Sequence, residues 1–467
     1  MPAFAVTALL FAVGCSSSAP QAEQPAPAQS QGTQSADGTA NTATDRSLGV
    51  AAAPAATATA AAGPAGSGKP AHKTTLKVSS YDSRTRRAVI SQRKKPGSPA
   101  PSTPAPSPDA PSPSASAARQ AAVGDVIASA PAPGAPHGLL AKVTKVIGET
   151  DEGTEVQTEP AALNAVLGDD TAKGTVPVDP ASFDVDKLLP DVKVSWSKAG
   201  DVHVGPKGAT VPLGSLRLDV SARIPTAEGA PVSADASVSG FVQVAPQVDF
   251  RYGGQGTDTA PGSAYLGVSG DWTSGWAVKG RAAASATPLR IPFAKLHADP
   301  VLQVGPVPVV VNLDLTCYFQ ISADGKVTVD VQQSLKGDFK AGGTFGAGKG
   351  WTPVSASDMT STPVRTSLTA AGNVKSALGA EASVGLYGTV GVTADLAPYL
   401  RGEASGTVRA SSDTPGAKTS GTWALYGGVD LSGTLRLQLS VFGTPVLQRS
   451  IPLGALHREW KLAGDPL

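Results

Sequence analysis

Residues 309–320 read VVVNLDLTCYFQ, and their alternation decides how the chain folds. Val309, Val311, Leu313, Leu315, Cys317 and Phe319 fall on one side of an extended strand, with Asn312, Asp314, Thr316 and Gln320 on the other. Neighbouring side chains on a strand point to opposite faces, so this spacing describes a half-buried strand. The device recurs outward from here. Leu216, Leu218, Val220, Ala222 and Ile224 alternate with Arg217, Asp219, Ser221 and Arg223. Val327, Val329 and Val331 continue it, as do Leu431, Leu435, Leu437, Leu439 and Val441. Ala323-Asp324-Gly325 and Gly253-Gly254 carry turn chemistry between the runs. The fold class is therefore mainly β, an extended antiparallel sandwich, roll or partly closed barrel over residues 171–467. The outward faces carry Lys, Arg and Asp, which excludes a lipid-facing outer-membrane barrel. Phe183 to Leu189 reads as a helical turn. Three strings echo one another as hairpin-like units: AYLGVSGDW at 264, LYGTVGVTADL at 386 and LYGGVDLSGTL at 425.

Upstream, residues 72–170 form a smaller β-rich module, interrupted by a Pro/Ser-rich segment at 94–118 that is too poor in apolar residues to fold. Leu76, Val78 and Val89 bracket Asp82-Ser83-Arg84-Thr85 as a hairpin, expected to pair with later strands across the insertion. Three more strands follow, then a short helix with Thr158 as its N-cap and Pro160 in its first turn. Arg84, Arg86, Arg87, Arg93, Lys94 and Lys95 read as a solvated basic hairpin and loop. Gly124-Asp125-Val126-Ile127, Gly138-Leu139-Leu140 and Thr158-Glu159-Pro160-Ala161 resemble a small module found in large exported actinobacterial proteins. That resemblance implies export and assigns no activity.

The amino-terminal residues 3–14, AFAVTALLFAVG, are a signal-length apolar run, too short to span a bilayer as a mature helix. Ala12-Val13-Gly14-Cys15, followed by Ser16-Ser17-Ser18, resembles the lipobox of bacterial lipoproteins. The resemblance implies a signal peptide over 1–14 and a diacylglycerol on Cys15 with palmitate-type chains, holding the chain on the outer side of the cytoplasmic membrane. The alternatives are an ordinary secretory signal, or a buried amino-terminal helix with a chance cysteine. Residues 15–71, rich in Ala, Pro, Ser and Gly, then read as a disordered stalk.

Chemistry is sparse. Thirty-eight basic residues against 37 acidic ones leave no electrostatic footprint for nucleic acid. The histidines, His72, His137, His203, His297 and His457, are scattered without HExxH or a cysteine cluster, so neither a metal site nor a cofactor is expected. Asp179, Asp184, Asp186 and Asp191 lack the spacing of an EF-hand. No G-x-S-x-G elbow occurs, and no catalytic residue is assigned. Cys317 reads as a buried, inert thiol. Trp272 and Trp276 flank Thr273-Ser274-Gly275, read as a hairpin turn; they either plug the ends of the β core or, if exposed, are the candidate ligand contacts. The expectation is a cell-surface lipoprotein displaying a non-enzymatic binding, adhesive or structural β domain. Its ligand would be a cell-wall glycan, a lipid or a protein; a narrower version has a β roll enclosing an apolar groove for lipid. The alternative is a secreted hydrolase of cell-wall or environmental glycans, which needs two carboxylates across a cleft or a His beside a Ser and an Asp.

Overall fold

The computed structural model describes residues 47–54, 57–63, 71–92, 121–197, 203–205, 208–210, 215–224, 236–253, 261–283, 288–361, 365–411, 419–436, 439–442 and 450–464. Cys15, the apolar run before it and the 94–118 segment lie outside the described residues. The fold is mainly β and antiparallel, and the described strands form no closed barrel. Its long strands are β1 (Ser215–Ile224), β2 (Ala236–Gly253), β3 (Ser263–Ala283), β4 (Leu289–Ala298), β5 (Val307–Gly346), β6 (Gly350–Ser361), β7 (Arg365–Leu386), β8 (Thr389–Ser411), β9 (Thr419–Arg436) and β10 (Leu456–Gly464).

β5 is the spine, 40 residues in one strand. One edge of it pairs first with β4, over 313–321, and then with β3, over 326–346. The other edge pairs with β7 over 311–332 and then with β6 over 335–346. Beyond β3 lie β2 and β1; beyond β7 lie β8, β9 and β10. The sheet thus has two halves that share β5 and fold over one another as layers. Gly343 on β5 sits against Leu435 of β9, and Arg458 of β10 reaches Asp358 of β6 at 2.6 Å. Between the layers Leu216, Leu218, Phe250 and Leu266 meet Cys317, Phe319, Leu400 and Leu435 in one apolar core.

The expected inward face of residues 309–319 holds: Val309, Val311 and Cys317 are fully buried and Phe319 nearly so. The turn expected at Ala323-Asp324-Gly325 does not exist. These residues continue β5 and pair with Val374, Asn373 and Gly372 of β7, so ladder bonds on the strand override local turn propensity. Thr273-Ser274-Gly275 likewise lies inside β3. The run of leucines from 431 is not one strand: β9 ends at Arg436, and Leu439–Phe442 forms a 3-10 turn. Asp184–Lys187, expected to be helical, is a strand on the edge of β4, preceded by a 3-10 turn at Pro180–Ser182 that the Asp179 carboxylate caps through the Ala181 N–H. The three echoing strings are not equivalent hairpins. The first and third lie within β3 and β9, whereas the second contains the β7–β8 turn at Tyr387-Gly388, both with positive φ.

A second sheet orders its strands as His72–Lys73, Ala60–Ala62, Val126–Ser129, Leu139–Thr150, Gly153–Pro160, Arg87–Gln92 and Leu76–Asp82. The 76–92 hairpin does pair with Gly153–Pro160 across the insertion. Thr158, however, caps no helix. It stays in the strand, where its N–H and Oγ1 both donate to the Arg86 carbonyl, and the helical turn starts only at Asn164. Residues expected in the stalk are also strands. Ala60–Ala62 joins this sheet, Ser47–Leu48 pairs with Thr171–Ala172, and Val50–Ala53 pairs with Val301–Val304. The two sheets share a core, because Val126–Ser129 is buried on both faces. Val126 and Ala128 pack with the large sheet while Ile127 packs inside the small one.

The faces turned away from the core carry a recurrent packing unit. Phe241, Tyr318 and Tyr399 each stand directly across the ladder from a glycine: Gly275, Gly379 and Gly428. Each ring lies over its glycine, and a cation covers the ring: Arg217 at 3.6 Å, Arg290 at 3.5 Å and Lys375 at 3.7 Å from the centroid. A Cβ on Gly379 would sit 2.2 Å from Tyr318 Cζ. Gly379→Val should therefore lower stability by about 1–3 kcal/mol, seen as a lower urea midpoint. Gly348→Ala, where a Cβ meets nothing within 4 Å, should shift it by less than about 0.5 kcal/mol. Equal midpoints for the two variants would refute this account of the pairing.

Candidate functional site

The first candidate lies between the layers. Val244 and Val268, with Trp272 and Phe339, wall one side of a groove, and Leu396 and Leu431 wall the other. It opens because β7 and β8 present Ala380, Ala382 and Ala394 inward, too short to reach the facing layer. Inward-facing residues that would be sealed in a filled core, Val244, Leu315, Phe339 and Leu396 among them, are only half-buried here. The groove is narrow, with a cavity volume of about 60 Å³, and is partly open to solvent. Its walls are apolar throughout. Such a slot presents apolar surface and offers nothing to a polar ring.

Trp272 and Trp276 are not exposed at a turn. Both point inward from the middle of β3, at 5% and 3% exposure, because the four-residue spacing puts them on one face of a continuous strand. Trp276 belongs to the core, whereas Trp272 borders the groove. Neither indole N–H has a hydrogen-bond partner among the described residues. Cys317 is fully buried, and burial pushes its thiol up to about 12.

The second candidate was hidden in the sequence. His297 near the end of β4 stands opposite Asp314 on β5 and opposite Asp184 on the edge strand. Its Nδ1 meets Asp314 at 2.8 Å and its Nε2 meets Asp299 at 2.9 Å. His137, from the loop between Val126–Ser129 and Leu139–Thr150, brings Nδ1 to 3.2 Å from Asp299 Oδ1, and its ring stands edge-on to His297 at 5.6 Å. Gly138 permits this approach. Its φ is +76°, and a Cβ there would sit 2.5 Å from Val310 and 2.8 Å from the Ser129 carbonyl. Asn312, 7% exposed, donates to Asp299 Oδ1 at 2.5 Å and accepts from the Gly388 N–H at 2.5 Å. Partial burial opposes the imidazolium of His297, yet its hydrogen bonds to Asp314 and Asp299 hold the ring above its ordinary pKa.

On the same outer face Arg290 bonds Glu381 and Asp395, the latter also accepting from the Tyr318 hydroxyl at 2.5 Å. Further along, His457 Nδ1 meets Asp430 at 2.6 Å beside Lys375, and Arg401 pairs with Glu459, whose carboxyl it holds below the ordinary range. The hydrogen bonds of His137, His297 and His457 thus run to carboxylates and, for His457, also to the Tyr399 hydroxyl at 3.5 Å. Asp184, Asp186 and Asp191 are exposed and do not converge on one another as a calcium loop would require. No described helix is long and apolar enough to cross a membrane. No family model matches the chain, and neither a curated protein nor a solved structure matches it.

In a Cys15→Ala chain Cys317 is the single remaining thiol. It should resist a thiol-specific chromogenic reagent at pH 8 and react fully once guanidinium unfolds the sheet. Rapid reaction of the native chain would contradict its burial.

Proposed function

We propose that the protein is a lipid-anchored surface protein whose β domain binds, without chemical conversion, a single acyl chain in the groove between its layers. The apolar slot carries this reading. It is walled by Val244, Trp272, Phe339 and Leu396, kept open by short alanines on the facing strands, and lacks polar groups. Apolar ligands bind by the area they remove from water, about 25 cal/mol per Å², and a slot this narrow favours a chain over a ring system. The apolar run and Cys15-Ser16-Ser17-Ser18 support the address. A surface protein held by its own lipid works within reach of acyl chains, the chemistry that such a groove selects.

Titrating the full chain with a fluorescent long-chain fatty acid tests the groove. Saturable binding is expected, with Ala394→Phe, which fills the slot, weakening it about tenfold or more while the circular dichroism spectrum stays native. Absence of saturable binding to the native chain, or equal binding to Ala394→Phe, overturns the reading. The address is tested separately by mass spectrometry of the protein expressed in a Gram-positive host. A diacylglyceryl mass on Cys15 is expected, and Cys15→Ala should be released into the medium. An unmodified amino-terminus beginning elsewhere removes the anchor.

A further inference from the structure

His137, His297 and Asp299 bring one ligand atom each to within 4.8 Å of one another. His137 Nδ1 lies 3.2 Å from Asp299 Oδ1 and His297 Nε2 lies 2.9 Å from Asp299 Oδ2, so a different carboxylate oxygen faces each imidazole, each at close to the roughly 3.3–3.5 Å that separates neighbouring ligands on zinc bonds of about 2.0–2.2 Å. The support behind these groups is the kind that metal sites carry. His297 presents Nε2 to the cluster and gives Nδ1 to Asp314, which fixes the ring and raises its basicity as a ligand. Asp299 is gripped by buried Asn312, itself held by the Gly388 N–H in the β7–β8 turn. The charge balance agrees, since Asp299 and Asp314 bond the two imidazoles and Asp184 stands across the ladder from His297. Asp299 is 17% exposed at its side chain and His137 is 42% exposed, so an ion reaches the cluster without opening the fold.

The geometry points to a binding site for a zinc-class divalent cation, held by one nitrogen each of His137 and His297 and an oxygen of Asp299, with a fourth position open to solvent. Imidazole nitrogens select this class over calcium or magnesium, which take oxygen ligands. His137 comes from the small sheet and the other two ligands from the large one. The ion therefore clips the two sheets at their outer seam, apart from the groove and independent of what fills it.

The test uses the untagged full chain, stripped with a chelator and titrated with Zn²⁺ by isothermal calorimetry. One equivalent is expected to bind at about micromolar affinity or tighter, with millimolar Mg²⁺ failing to compete. His137→Gln and His297→Gln should each weaken binding by at least about tenfold, whereas His457→Gln, in a His–Asp pair with no second imidazole, should leave it unchanged. Should His297→Gln misfold, the half-exposed His137→Gln and the Co²⁺ absorption of the native chain still decide. An intense four-coordinate visible band supports the site. A weak six-coordinate spectrum, no binding tighter than millimolar, or equal affinity of His137→Gln and the native chain overturns it.

Discussion

A strand that buries one face over most of its length cannot shift its register, because a slip by one residue would turn every apolar side chain toward water. β5 imposes that condition on its neighbours. Cys317 and Phe319 point inward early in the strand and Ala341 and Phe345 near its end, while the partners on both edges change along the way. Because β3 and β4 occupy successive stretches of one edge, and β6 and β7 successive stretches of the other, the two halves of the sheet are bound into one register. The interlayer core, the groove within it and the cluster on its outer face all inherit their positions from that spine.

Long strands create a second demand, since the face away from the core must be covered without becoming sticky. The aromatic–glycine–cation units meet it. A ring laid on a bare backbone shields the ladder from water, and the guanidinium or ammonium above it keeps the surface polar. The cost falls on the glycines, whose positions no other residue fits. In the first of the three similar strings the Tyr265 ring also lies against a glycine, Gly267 of its own strand, whereas Gly427 of the third faces Leu462, so the strings share composition and not one packing unit.

The period-two runs at 216–220 and 309–319 announced their buried faces correctly because alternation is a local property of a strand. Ala323-Asp324-Gly325 misled because turn residues yield to a ladder already fixed on both sides. Ala60–Ala62 escaped notice since three alanines in a low-complexity tract carry no pattern, yet they are buried in the small sheet. The groove had a faint signal in the alanines of β7 and β8, which leave room where leucines would fill it. The histidine cluster had none. His137 and Asp299 stand 162 residues apart and meet only through the docking of one sheet on the other, information that spacing along the chain does not hold.

The pairing of Val50–Ala53 with Val301–Val304 joins the beginning of the described chain to its middle across some 250 residues, and Leu163 likewise bonds its N–H to the carbonyl of Val441. During synthesis the earlier member of each pair emerges first and must wait for a partner made far later. Until then its edge stands open to any strand that passes. Closing such distant contacts is slow, because the entropy of the intervening chain is lost before the contact rewards it. The architecture thus places its time of greatest vulnerability before completion, when the amino-terminal strands exist without the sheet that will receive them.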